Sequence, residues 1–147
     1  MDIERLRLEL EDDEGVKYEL YNDHLGYLTF GVGHLVKKDD PEHGMPVGTP
    51  VDESRVSEAF EQDIDTVMDD CCKLYVDFND LPEEAQRIIA NMMFNLGYPR
   101  LSAFKGMRSG VDARDWERAA DEMVDSRWYN QVPNRAERLV TRMRNIG

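Results

Sequence analysis

The chain begins with a helical pattern and then changes to a strand pattern. Apolar residues recur at intervals of three and four over residues 3–10, which is typical of one face of a helix. Residues 16–21 then alternate between apolar and polar side chains, and residues 27–30 form a second short run. Turn-forming residues at 22–26 separate the two runs, so the pattern predicts an antiparallel hairpin.

The rest of the chain is predicted to be helical after one exposed loop. The loop covers residues 37–50, which contain three prolines and two glycines. Helical spacing of apolar residues resumes after Asp52, after Pro82 and after Asp112, and a final basic helical region starts at Arg127. A small sheet followed by helices predicts an α+β fold with two lobes.

The length of 147 residues suits one domain. We expect residues 1–147 to form it, with a β lobe at about residues 15–50. A helical lobe would consist of residues 52–147 together with an N-terminal helix at residues 3–13.

Charge is distributed unevenly along the chain, whose net charge is -13. Residues 1–80 carry 7 basic and 22 acidic side chains, whereas residues 81–147 carry 11 basic and 9 acidic ones. This balance argues against nucleic acid as a partner, because phosphate binding needs a basic surface. The arginines after Ser126 either balance the acidic half or serve a function, and the sequence leaves both readings open.

Other signals exclude further classes of protein. No run of about 18 apolar residues is present, so we expect no membrane insertion. Residues 1–15 lack the basic and apolar segments of a signal peptide, which favours a cytoplasmic location. The two cysteines, Cys71 and Cys72, are adjacent, and no metal-ligand spacing occurs, so we expect neither a disulfide nor a metal or other cofactor.

Three polar residues flank the predicted hairpin: Glu14 precedes it, Asp23 lies in its turn and Thr29 lies on its second strand. A hairpin can bring such residues to one site, and glycoside hydrolysis uses one protonated and one ionised carboxyl group. With 31 acidic residues, however, chance pairings are frequent. Thr29 is also explained by its preference for strands alone.

Long motifs of this sequence resemble one family of enzymes. They are Asp13-Glu14-Gly15, residues 18–35 (YELYNDHLGYLTFGVGHL) and residues 126–139 (SRWYNQVPNRAERL). They are similar to the T-even phage lysozymes, the phage endolysins that cleave peptidoglycan, and the similarity extends over almost the whole chain. It implies a lysozyme-like α+β fold in which the active-site cleft lies between a small antiparallel β lobe and a larger helical lobe.

The resemblance also implies roles for individual residues in an N-acetylmuramidase, a hydrolase of the β-1,4 bond between N-acetylmuramic acid and N-acetylglucosamine. Glu14 matches the general acid of an inverting reaction. Asp23 matches the carboxylate that positions or activates water, and Thr29 matches the hydroxyl residue that helps to hold that water. Leu35, Phe94 and Asn95 match positions that contact the sugar chain.

Three further positions are implied to support the site. Arg135 matches a basic residue near the acid, while His34 and Asp63 match a structural ion pair that links the lobes. Met107 and Glu122 stand where the family often has polar sugar contacts, so those contacts are in doubt.

The partner implied by the family is peptidoglycan, and we expect a monomer that lyses the infected host. Such an enzyme would reach the cell wall from the cytoplasm after the membrane is permeabilised. A virion-associated lysozyme used for entry and a non-catalytic glycan-binding module are the alternatives. The strongly acidic charge departs from the basic character common in the family.

Overall fold

The computed structural model describes residues 1–147, which form eight α-helices, a three-stranded sheet and one 3-10 turn at Phe78–Asp80. In chain order the elements are α1 (Ile3–Glu14), β1 (Lys17–Asn22), β2 (Leu28–Gly31), β3 (His34–Leu35), α2 (Glu53–Leu74), α3 (Glu83–Leu96), α4 (Tyr98–Leu101), α5 (Lys105–Asp112), α6 (Trp116–Val124), α7 (Arg127–Gln131) and α8 (Pro133–Arg144). None of these helices combines the length and the apolar character needed to cross a membrane.

This architecture confirms the predicted α+β class and the predicted hairpin. Strands β1 and β2 pair antiparallel, and β2 pairs in turn with β3, so the strand order follows the chain. The sequence did not indicate β3, because two residues are too few to show an alternating pattern. Helix α1 also extends to Glu14, four residues beyond the last apolar residue of its predicted stripe.

The outer edge of β1 is covered by the segment before α2. Leu20 donates its backbone N–H to Thr49 and accepts from Gly48, at 2.9 and 2.8 Å, and Val51 donates to Tyr18 at 2.9 Å. These bonds satisfy backbone groups that an edge strand would leave open to another chain. The loop predicted for residues 37–50 therefore ends as a partner of the sheet.

The chain divides into two compact units, which we call the hairpin unit, residues 7–66, and the helical unit, residues 1–6 with 67–147. The lobe boundaries inferred from the sequence stay a prediction. Within the hairpin unit, Arg7 of α1 binds Glu61 of α2 through Nε and Nη2, at 2.6 and 2.7 Å. Its apolar core consists of Leu20, Phe30, Val51, Val56 and Ala59.

The helical unit is built around α3, which is buried over most of its length, from Ala85 to Met93. In the same unit, α5 and α6 approach closely at one glycine. A Cβ on Gly110 would lie 2.8 Å from the backbone nitrogen of Ala119, so a larger residue there would force the two helices apart.

One predicted helix start is wrong. Asp52 does cap α2, since its Oδ1 accepts the backbone N–H of Arg55 at 2.9 Å. Asp112, by contrast, is the last residue of α5, and α6 is capped by Asp115, which accepts the N–H of Arg118 at 3.1 Å. Aspartate is a favoured N-cap residue at either position. Asp115 is the N-cap of α6 because the backbone between the two aspartates turns at Arg114, with a φ of 58°.

Candidate active site

Asp23 is held rigidly by the hairpin turn. Its Oδ1 accepts the backbone N–H groups of Leu25 and Tyr27, both at 2.9 Å, and Gly26 completes the turn with a φ of 87°. An aspartate that bonds the backbone ahead of it in this way commonly nucleates a turn. Oδ2 accepts no hydrogen bond from the protein. One carboxylate oxygen therefore fixes the side chain while the other remains available to a water molecule.

Thr29 is buried, with 3% of its surface exposed, and its hydroxyl already has a partner. Oγ1 donates its proton to the carbonyl oxygen of Tyr27 at 2.9 Å. Because a hydroxyl has only one proton, Oγ1 can act toward any further group only as an acceptor.

The strand register places Thr29 between two other side chains. Tyr21 on β1 pairs directly with Thr29, which pairs in turn with Leu35 on β3. Directly paired residues of antiparallel strands project from the same face of a sheet. The opposite face carries Phe30 and His34, which are also paired. Tyr21, Thr29 and Leu35 thus form a row on the face away from the core, and Leu35 is 46% exposed.

Glu14 is brought to the sheet by the end of α1. Its carboxylate lies against Gly33, where an added Cβ would come within 2.5 Å of Oε1. Gly33 also has a φ of 58°, a backbone conformation that disfavours other residues. Gly33 therefore makes room for the carboxylate of Glu14, the residue that the resemblance matches to the acid.

The pKa of Tyr21, on β1, is raised. Burial raises the pKa of Tyr21 above its usual value, and the negative charges of Glu14 and Asp23 raise it further. Sequence reasoning missed Tyr21, since its alternation in β1 matches any half-buried strand.

His34 lies on the opposite face of the sheet between two aspartates. Its Nδ1 is 2.6 Å from Oδ2 of Asp63, the partner implied by the resemblance, and its Nε2 is 2.9 Å from Oδ2 of Asp40. The imidazole is 4% exposed. Burial alone would lower the pKa of His34, but the hydrogen bonds and charges of the two aspartates outweigh it and raise this pKa. Both His34 and Asp63 belong to the hairpin unit.

Arg55 extends this cluster into the loop before α2. It binds Glu42 through Nε and Nη2, at 2.9 and 3.0 Å, and its Nη2 also lies 3.1 Å from Oδ1 of Asp40. Glu42 is 7% exposed, so the expectation of a fully exposed loop is wrong at this residue. No spacing rule links a loop carboxylate to an arginine 13 residues later, and the sequence therefore gave no sign of this contact.

The remaining candidate residues belong to the helical unit. Phe94 and Asn95 stand near the end of α3, and Asn95 accepts the indole N–H of Trp128 through Oδ1 at 2.8 Å. The amide nitrogen of Asn95 is thereby oriented as a donor. Arg135 is buried and donates from Nε to Oδ1 of Asn91 at 2.8 Å. The sugar contacts and the support of the acid assigned to these residues stay predictions.

The structure bears on two questions that the sequence left open, the sugar contact at Met107 and the role of the late arginines. Met107 is fully buried, so its side chain is not accessible to a sugar in this structure. Two of the late arginines form ion pairs: Arg142 with Glu84 at 2.5 Å, and Arg144 with Glu117 at 2.5 Å. A surface depression of about 560 Å³ runs along α8, and none of the predicted site residues lines it.

The eight helices and the small antiparallel sheet are consistent with an α+β, lysozyme-like fold. Comparison with protein families agrees with this class. The phage lysozyme model matches residues 11–145, so the chain belongs to the phage lysozyme family. Lysozyme-type hydrolysis is the activity that this membership supports.

Individual relatives show the same similarity. The chain is 30% identical over 151 residues to probable T4-type lysozyme 1 of Dictyostelium discoideum, and the match covers 90% of this chain and 89% of that protein. It is 29% identical over 149 residues to the pre-baseplate central spike protein Gp5 of Enterobacteria phage T4, covering 88% of this chain but 26% of Gp5. It is 28% identical over 142 residues to the peptidoglycan hydrolase gp36 of Pseudomonas phage phiKMV, covering 97% of this chain and 15% of gp36.

Proposed function

We propose that the protein hydrolyses peptidoglycan at the β-1,4 bond between N-acetylmuramic acid and N-acetylglucosamine, with inversion at the anomeric carbon. Glu14 is the general acid that protonates the leaving oxygen. Asp23 is the carboxylate that activates the attacking water, and Thr29 holds that water with it. Leu35, Phe94 and Asn95 contact the sugar chain.

The observation that carries this proposal is that Asp23 and Thr29 each keep an oxygen that can only accept a further hydrogen bond. Oδ2 of Asp23 is an unoccupied acceptor, and Oγ1 of Thr29 can only accept because its proton is donated to Tyr27. A water that donates one proton to each of these oxygens has its lone pairs directed away from both. Activation of a water by one carboxylate, with a second carboxyl group as acid, is the chemistry of inverting glycosidases.

Glu14→Gln tests the role of the acid, because the substitution preserves shape and removes only the transferable proton. We expect clearing of a suspension of permeabilised cells to slow by at least about 10²-fold, the usual minimum for a general acid. Glu11→Gln, an exposed residue of the same helix, is the matched control. A Glu14→Gln enzyme within about tenfold of the wild type would overturn the assignment.

Product analysis tests the bond and the stereochemistry independently. Reduction of the new sugar ends should yield muramicitol, whereas cleavage of the other glycosidic bond would yield glucosaminitol. NMR spectra recorded at once after mixing should show the α-anomer first. Early β-anomer would indicate a retaining reaction instead.

For the biological setting we propose lysis of the infected host by a monomer that reaches the wall from the cytoplasm once the membrane is permeabilised. The similarity to the spike protein Gp5 favours a second candidate, a lysozyme carried in the virion for entry. An immunoblot of purified particles distinguishes the two. Host lysis predicts no signal in particles and a loss of lysis when the gene carries Glu14→Gln.

A further inference from the structure

The imidazole of His34 contacts a carboxylate at each of its ring nitrogens. Nδ1 lies 2.6 Å from Oδ2 of Asp63 on α2, and Nε2 lies 2.9 Å from Oδ2 of Asp40 in the loop that follows β3. An ionised carboxylate only accepts hydrogen bonds, and an imidazole donates from both nitrogens only when it carries two ring protons. The geometry therefore fits the protonated ring, and one of the two contacts must be lost when the ring becomes neutral.

The two aspartates differ in the partners that remain to them without His34. Asp40 keeps two other donors, because its Oδ2 also accepts the backbone N–H of Lys37 at 2.9 Å and its Oδ1 lies 3.1 Å from Nη2 of Arg55. Asp63 makes no other hydrogen bond or ion pair within the protein. Since a carboxylate left without any donor is the costlier loss, the neutral ring keeps its proton on Nδ1, toward Asp63. The lone pair of Nε2 then points at Asp40.

The other charges around His34 do not replace the lost contact. They are carried by Asp63, Arg55 and Glu58 on α2, Asp40 and Glu42 in the loop, and Glu14 at the end of α1, which lies against Gly33. Strand β2 contributes only the uncharged ring of Phe30, whose centroid is 4.9 Å from that of the imidazole. The single cation among these groups, Arg55, already donates three hydrogen bonds to Glu42 and Glu58.

Asp40 closes a short turn directly after β3, residues 37–40, which we call the Asp40 turn. Its backbone N–H donates to the carbonyl oxygen of Lys37 at 3.0 Å, and its side chain accepts the N–H of the same residue. Strand β3 has only two residues, His34 and Leu35, so few backbone bonds hold its end on the sheet. The contact of His34 with Asp40 ties the turn to this strand.

We propose that the Asp40 turn is a pH-sensitive switch at the end of β3, closed while His34 carries two ring protons and open once it has lost one. Loss of the proton releases Asp40 from the ring and lets the turn move. The remainder of the loop stays in place, because Glu42 keeps its two hydrogen bonds to Arg55. Since the pKa of His34 is raised, the turn opens above the ordinary value of about 6.5.

NMR of the imidazole tests the first step of this inference on the intact protein. The ¹⁵N chemical shifts of His34 between about pH 5 and about pH 8.5 give both its titration midpoint and its neutral tautomer. We expect a midpoint above about 6.5 and a neutral ring that carries its proton on Nδ1. A neutral ring protonated on Nε2 would mean that Asp63 is released instead, which would overturn the inference.

Solvent exchange of backbone amides tests the second step, the opening of the turn. After correction for the intrinsic exchange rate at each pH, the amides of Lys37 and Asp40 should lose at least about tenfold in protection, because a hydrogen bond to a charged group is worth about that factor or more. This loss should have the same midpoint as the titration of His34. The amide of Gly48, which donates to Leu20 at 2.8 Å at the far end of the loop, should not change. Constant protection in the turn, or an equal loss at Gly48, would overturn the inference.

Asp40→Ala separates the switch from a general effect of pH. Without the carboxylate the turn amides should be weakly protected at every pH, so the titration of His34 should no longer affect them. Asp39→Ala, an exposed neighbour in the same turn, is the matched control and should keep the pH dependence of the wild type. A pH dependence that persists in Asp40→Ala would contradict the proposal, and the wild-type measurements decide the question if this variant does not fold. None of these measurements depends on the proposed function, so a protein without hydrolytic activity would refute that function alone.

Discussion

Replacing His34 by asparagine should destabilise the protein by an amount that depends on pH. The imidazole is 4% exposed and bonds Asp63 at 2.6 Å and Asp40 at 2.9 Å. Hydrogen bonds to charged groups contribute about 1.5–3 kcal/mol each, and burial of the imidazolium offsets part of this. Since Asp40 keeps Arg55 as a partner, we expect a net loss of about 2–3 kcal/mol where His34 is protonated.

The sign of the pH dependence follows from the direction of the pKa shifts. The pKa of His34 is raised in the fold, so its contribution is complete below the ordinary value of about 6.5 and is lost as the pH rises through the folded pKa. The pKa of Asp40 is lowered, so its contribution is present above about 3.9 and is lost on acidification. The cluster therefore stabilises the protein most between about pH 4 and 6.5.

Thermal unfolding of the wild type and His34→Asn at about pH 5.5 and about pH 8.5 measures both quantities. For a chain of this size, about 1 kcal/mol corresponds to about 2–4 °C in Tm, so the deficit should be about 4–12 °C at the lower pH and less than half of that at the higher. His43→Asn, an exposed histidine of the adjacent loop, is the matched control. A deficit that is the same at both pH values would refute the argument from His34 protonation.

Three further predictions follow from the same structure. Gly33→Ala should reduce both stability and activity, because its Cβ would lie 2.5 Å from Oε1 of Glu14. Normal turnover would show that the carboxylate moves freely. Gly44→Ala, which also has a positive φ but has open space around it, is the control for Tm. Arg55→Met should lower the free energy of unfolding by about 3 kcal/mol in chemical denaturation, since it leaves the buried Glu42 without its cation, and a change below about 1 kcal/mol would contradict this. The initial lysis rate should rise with the NaCl concentration from about 0.02 M to about 1 M, because screening weakens the repulsion between the acidic half of the chain and an anionic cell wall. A monotonic fall would favour a local basic surface instead.

Local patterns predicted the hairpin and the long helices, because each of these elements follows from near neighbours in the chain. The hairpin depends on turn residues 22–26, and α2 and α3 depend on apolar spacing and their starts. The same locality explains the error at Asp112. Two good capping residues three positions apart give the same signal, and only the backbone turn at Arg114 selects Asp115.

The candidate site was only partly accessible to sequence reasoning. The long motifs made Glu14, Asp23 and Thr29 candidates, but the sequence did not indicate which contacts hold each side chain. The second partner of His34 and the arginine that extends the cluster come from packing of the loop on α2, where contacts join residues 13 to 15 apart without a periodic signal. Tyr21 has a pattern that any half-buried strand would show, so only the register revealed its place.

The register of the sheet links the ion cluster to the proposed chemistry. Phe30 and His34 face the core side as a pair, while Thr29 and Leu35 pair on the other side, and residues alternate between these faces one by one. A slip of one residue in β2 would therefore exchange Thr29 with Phe30 and bury the wrong side chain. The contacts of His34 with Asp63 and Asp40 oppose such a slip, because the imidazole can satisfy both aspartates only from the core side. The contacts of the cluster thus favour the register that sets Thr29 opposite Tyr21.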